Sequence, residues 1–86
     1  MAYMQEVPRK KEKDPHGEVF GATVHKLRES RGLTQEQLAE ASEMSATYLG
    51  FLERGENVPT LPVIIRLAVA LKVTPGGLLE EVWRRR

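Results

Sequence analysis

Apolar residues fall along this chain in blocks whose spacing is helical. Phe20, Val24 and Leu27 stand at i, i+4 and i+7, one stripe of an amphipathic helix over 18–31. Gly32 closes it, and Arg31 suits the negative end of its dipole. Thr34 opens a second helix. Gln37, three residues on, completes a capping box, and Leu38 and Ala39 supply an apolar face. Ser42, Glu43 and Met44 interrupt the pattern, with Met44 as the apolar plug of a turn of about four residues. Ser45 caps a third helix, Leu49 and Leu52 turn inward at i and i+3, and Gly55 stops it. A loop over 56–59 leads to Thr60, which caps a fourth helix reaching to about Lys72, with Pro62 tolerated in its first turn. From Val63 to Leu71 only Arg66 is charged, which predicts a central helix buried on most sides. Thr74 and Pro75 repeat the cap-plus-proline opening, and Leu78, Leu79, Val82 and Trp83 give a fifth helix its apolar face. Leu78 and Leu79 are expected to complete the core, leaving Val82 and Trp83 uncovered near the end.

Composition narrows what this all-α chain does. Its 86 residues make one small domain with a few kcal/mol of net stability, and no cysteine is present to staple it or to ligate zinc. His16 and His25 are isolated, so no metal or other cofactor is expected. No apolar run approaches the roughly 20 residues of a membrane span, and the expectation is a soluble, cytoplasmic protein. Net charge is only +1 and concentrated at the ends: Arg9, Lys10, Lys11 and Lys13 on one side, Arg84, Arg85 and Arg86 on the other. Residues 1–17, with Pro8 and Pro15, read as a flexible arm ahead of a domain over 18–86, and a basic arm tracks DNA phosphates in some settings.

The stretch 34–55 resembles the helix-turn-helix of the lambda-repressor and Cro-like (XRE-type) DNA-binding regulators. Thr34-Gln35, Leu38-Ala39, Ser45, Tyr48-Leu49 and Leu52-Glu53-Arg54-Gly55 followed by Pro59 carry the likeness, which extends over about 20–79. It implies a compact five-helix domain in which Arg28 pairs with Glu53, tying the first helix to the third. It also implies a homodimer, for which the uncovered Val82 and Trp83 are the expected contact, and a two-fold operator in double-stranded DNA.

In such a domain the Gln35 amide meets a phosphate and the helix from Ser45 enters the major groove. At 100° per residue, Ala46, Thr47, Gly50, Phe51 and Arg54 share one side and Leu49 and Leu52 the other. Tyr48 falls between, its hydroxyl directed to the DNA backbone, and Asn57 lies in the loop beyond. The family commonly carries long polar side chains where this chain has Ala46, Thr47, Gly50 and Phe51. Thr47 is the base hydrogen-bonder, while Ala46 and Phe51 suit thymine methyl groups. Glu36, Glu40, Glu43 and Glu53 against Arg54 make the motif acidic.

The function expected is a sequence-specific DNA-binding transcriptional regulator, in the sense of a repressor. The alternative is a protein-binding adaptor, such as the antitoxin subunit of a toxin–antitoxin pair, using the apolar helix from Ser45 as its contact. No nucleophile, base and carboxylate cluster stands out, so no enzyme is expected.

Overall fold

The structure, a computed structural model, describes residues 13–86. Five helices and no strand make up the described residues: α1 (Pro15–Ser30), α2 (Gln35–Ala41), α3 (Ala46–Glu53), α4 (Leu61–Ala70) and α5 (Pro75–Arg85). The first begins three residues before the expected 18. Asp14 Oδ1 accepts from the His16 and Gly17 N–H groups and Pro15 takes the first helical position, so residues 15–17, expected in the arm, are helix. Arg9, Lys10 and Lys11 lie outside the described residues.

The predicted caps of α2, α3 and α5 form. Thr34 accepts from Gln37 N–H at 3.0 Å while the Gln37 side chain accepts from Thr34 N–H at 2.8 Å. Ser45 and Thr74 accept from Tyr48 and Gly77. Thr60 precedes α4 in extended geometry but makes no side-chain cap bond. Helices α1 to α4 all end alike, with the second residue past the cap pairing back to the third residue from the helix end: Leu33 to Arg28, Met44 to Ala39, Glu56 to Phe51 and Val73 to Ala68. Each requires a left-handed residue between. Gly32 and Gly55 meet that need at no steric cost, whereas Glu43 (φ 60°) and Lys72 (φ 64°) adopt it with a side chain.

The core is Phe20, Val24, Leu38, Ala39, Leu49, Leu52, Val63, Leu67, Ala68, Leu71 and Leu78, with Met44, Tyr48 and Val82 packed against it. Its organising helix is α1, which packs on both α3 and α5. A Cβ at Gly21 would lie only 2.1 Å from the Leu52 carbonyl, so α1 and α3 meet backbone to backbone there. The expected burial of α4 on most sides is corrected. Val63, Leu67 and Ala68 face inward, but Leu61 (65 % exposed), Ile65 (41 %) and Val69 (67 %) form an i, i+4, i+8 stripe on the surface. The reason is that α4 packs chiefly against α5 and α2, while α1 packs on α3 and α5. Leu79 is corrected likewise: it is 44 % exposed, beside Trp83 at 59 %, while Val82 is half-buried. Together with Phe20, Ile64, Val58 and Leu79, Val82 lines an apolar cavity of about 160 Å³.

Two arginines tie helix ends together. Arg31 Nε donates to the Leu71 carbonyl at 2.6 Å, and Arg66 Nε to the Ser42 carbonyl at 3.2 Å. Both satisfy carbonyls that a helix terminus leaves without intrahelical partners.

Candidate nucleic-acid interface

Helix α3 is held by its inner face and offers its outer one. Leu49 and Leu52 are fully buried, while Thr47, Phe51 and Arg54 are exposed and Ala46 and Tyr48 half-buried. Ser45 and Asn57 are exposed at the two ends of this surface. The four residues from Ser42 to Ser45 between α2 and α3 set the two helices against each other, with Ser42 buried.

Behind the outer face lies a buried polar cluster. The Glu53 side chain is only 3 % exposed, and its carboxylate accepts from Arg28 Nε at 2.7 Å, Arg28 Nη2 at 3.1 Å and Gln35 Nε2 at 2.9 Å. Arg28 Nη1 donates onward to the Leu33 carbonyl at 2.8 Å. The pair therefore joins α1, the loop after it, α2 and α3 in one bidentate arrangement. Burial works to raise the Glu53 pKa, but hydrogen bonds from Arg28, Gln35 and His25 and the Arg28 charge outweigh it and hold the carboxyl below its ordinary range. The Glu53 hydrogen bond raises Arg28 in turn, against the burial that opposes it. His25 joins this cluster, which its isolation in sequence concealed. Its Nδ1 lies 3.0 Å from Arg28 Nη2 and 3.2 Å from Glu53 Oε1, so it either accepts from the arginine or donates to the carboxylate. Its Nε2 is 3.1 Å from Glu29 Oε2.

Gln35 thus has one amide hydrogen engaged inside, which fixes the side chain at the edge of α3 instead of leaving it free. Gly50, which the 100° step places on the outward side of α3, is not open to solvent. It is buried, and a Cβ there would sit 3.2 Å from Arg54 Nη1 and 4.0 Å from Gln35 Oε1. The guanidinium of Arg54 lies across it, 5.2 Å from the centroid of the Phe51 ring. Glu56, read from sequence only as a residue of the loop over 56–59, completes the group: Arg54 Nε and Nη2 donate to its two carboxylate oxygens at 3.2 Å each. Val82 and Trp83 lie on α5, where Arg86 stacks 3.5 Å over the Trp83 ring. No single helix among the described residues is long and apolar enough to cross a membrane.

Two short helices, a four-residue turn and an outward α3 face form a helix-turn-helix, and residues 19–82 match the family model described as a helix-turn-helix domain. The chain belongs to the helix-turn-helix domain family. Among relatives of this family, the control protein C.SmaI of Serratia marcescens is 42 % identical over 64 residues, covering 74 % of this chain and 76 % of the relative. The HTH-type transcriptional repressor RghR of Bacillus subtilis is 43 % identical over 65 residues, and the match spans 74 % of this chain and 48 % of RghR. In structure, the restriction-modification controller protein C.AhdI from Aeromonas hydrophila superposes with a TM-score of 0.70 at 39 % identity, covering 72 % of this chain and 94 % of that one. The clp gene regulator ClgR from C. glutamicum gives 0.77 at 30 % identity, covering 84 % and 94 %.

Proposed function

We propose that this helix-turn-helix protein is a sequence-specific transcriptional regulator that acts as a repressor in the cytoplasm, binding a two-fold operator in double-stranded DNA as a homodimer. The carrying observation is the α3 helix, clamped inward by Leu49 and Leu52 with Thr47, Phe51 and Arg54 outward at its accessible face. Thr47 reads a base edge, Ala46 and Phe51 touch thymine methyls, and Gln35, Ser45, Tyr48 and Asn57 set register against the backbone. RghR, whose name marks it as a transcriptional repressor, supports this reading. The dimer rests on the exposed apolar side chains of α4 and α5, since a lone domain this small has little reason to expose Leu61, Ile65, Val69, Leu79 and Trp83 together.

Selection of bound sequences from random duplex DNA tests the proposal. Enrichment of a two-fold repeat is the expected result, and Thr47→Ala or Phe51→Ala should then weaken discrimination at one base pair by ~1–3 kcal/mol. Failure to enrich any sequence overturns it. The second reading, a protein-binding adaptor, draws on Phe51, which is 38 % exposed on α3. It predicts co-purification of a partner whose binding Phe51→Ala abolishes.

A further inference from the structure

Arg54, the C-cap of α3, is exposed but engaged on several sides. Its guanidinium is held by Glu56 and lies beside Phe51 and over Gly50. Glu56 takes the side of the fork formed by Nε and Nη2, at 3.2 Å to each carboxylate oxygen. The Phe51 ring stands 5.2 Å away. Gly50 supplies the clearance, because Nη1 lies 3.2 Å from where a Cβ would be. Once the side of the fork is occupied, both hydrogens of Nη1 and the outer hydrogen of Nη2 still point away from Glu56. That end-on edge matches two adjacent acceptors, either O6 and N7 of a guanine in the major groove or two oxygens of one phosphate.

We propose that Glu56 is a positioning residue for DNA recognition: it holds Arg54 across Gly50 and Phe51 so that the free end of the guanidinium meets a pair of adjacent acceptors on DNA. The proposal rests on the DNA-binding reading above and extends it to a residue whose charge alone argues against DNA. The energetic logic is preorganisation. A solvated arginine loses rotamer freedom when it docks, whereas one already held by a carboxylate and a ring loses less. The pair is also neutral as a unit, so it contributes directed donors instead of bulk attraction. This suits a chain with a net charge of only +1. The glycine at position 50, which weakens the helix, is accounted for by the room that the guanidinium needs.

The experiment compares the parent, Glu56→Gln, Arg54→Ala and the double variant on the DNA sequence that the parent selects and on unrelated duplex, at one stated salt concentration. An exposed ion pair adds little to stability, so circular dichroism should show all four folded. In Glu56→Gln, affinity for unrelated DNA should rise because a negative charge is gone. The ratio of selected to unrelated binding should fall about tenfold, within the range of a good bidentate contact. The double variant should show no greater fall in that ratio than Arg54→Ala alone. Replacing a guanine of the site by 7-deazaguanine lowers the parent's ratio if the acceptor is the base, and a neutral methylphosphonate linkage lowers it if the acceptor is a phosphate; either result supports the proposal. An unchanged or raised ratio in Glu56→Gln overturns it, showing that Glu56 only repels DNA. So does a Glu56→Gln effect that persists in full without Arg54. A parent that selects no sequence overturns the DNA-binding reading and this proposal with it.

Discussion

At the scale of single residues, Glu53 carries the greatest consequence. A carboxylate 3 % exposed, holding Arg28, Gln35 and His25 at once, cannot be removed without leaving the Arg28 charge buried. Glu53→Ala is therefore expected to cost about 3–5 kcal/mol in urea denaturation, against a few tenths for Glu43→Ala on the surface. The same carboxylate makes stability depend on pH. Its pKa is lowered in the folded protein, so the unfolded chain binds more protons across the interval between the two values, and stability there rises with pH. The contribution is complete above the ordinary carboxylate range and is lost as pH falls through the folded value. Denaturation series at descending pH should show the parent losing more stability than Glu53→Gln, which has no proton to take up there. Ser42 offers the opposite case. Its hydroxyl is buried with no hydrogen-bond partner among the described residues. Ser42→Ala should leave the fold intact and raise stability by ~1 kcal/mol, read as a higher denaturation midpoint at unchanged slope.

Among the elements, the α1–α3 contact limits what the sequence tolerates. With the Leu52 carbonyl 2.1 Å from a Cβ at Gly21, and the Glu53 carbonyl 2.8 Å from it, Gly21→Ala must push the two helices apart. We expect a loss of at least ~3 kcal/mol, accompanied by loss of the Arg28–Glu53 geometry, seen as a fall in melting temperature larger than any single surface substitution gives. Nothing in the apolar spacing marks this glycine, because the pattern reports which side of a helix is inward but not how near its neighbour comes. The caps on Thr34, Ser45 and Thr74 and the stops at Gly32 and Gly55 were legible, since each rests on chemistry confined to a few residues. The turn at 42–44 and the end near Lys72 were legible as well, but the left-handed backbone of Glu43 and Lys72 was not, because neither side chain favours it. Helix α4 was misread for a different reason. Counting its apolar residues cannot reveal that Leu61, Ile65 and Val69 are left exposed among the described residues. The outward face of α3 followed from the 100° step, but the Arg54–Glu56 fork over Gly50 did not. That fork depends on the chain doubling back after Gly55.

For the whole molecule, the question is what covers the apolar side chains that the five helices leave outside. Leu61, Ile65 and Val69 on α4 and Leu79 and Trp83 on α5 are each at least 41 % exposed, and α4 and α5 pack on each other. Burial of one such large side chain is worth about 1.5–3 kcal/mol, so a partner covering several of them gains enough to offset association costs. A second copy of the chain is the proposed partner, because two-fold pairing would set two α3 helices at matching positions on a palindromic site. In that arrangement Trp83 sits at the contact, and Val82, half-buried toward the cavity, supports it from behind. Trp83→Ala combined with Ile65→Ser should shift sedimentation toward the monomer at micromolar concentration while leaving helix content unchanged. Its DNA affinity should fall steeply for the two-fold site and only modestly for a half-site, because a monomer keeps its own α3 contacts but loses the second set. A double variant that sediments and binds as the parent does would place the dimer contact elsewhere.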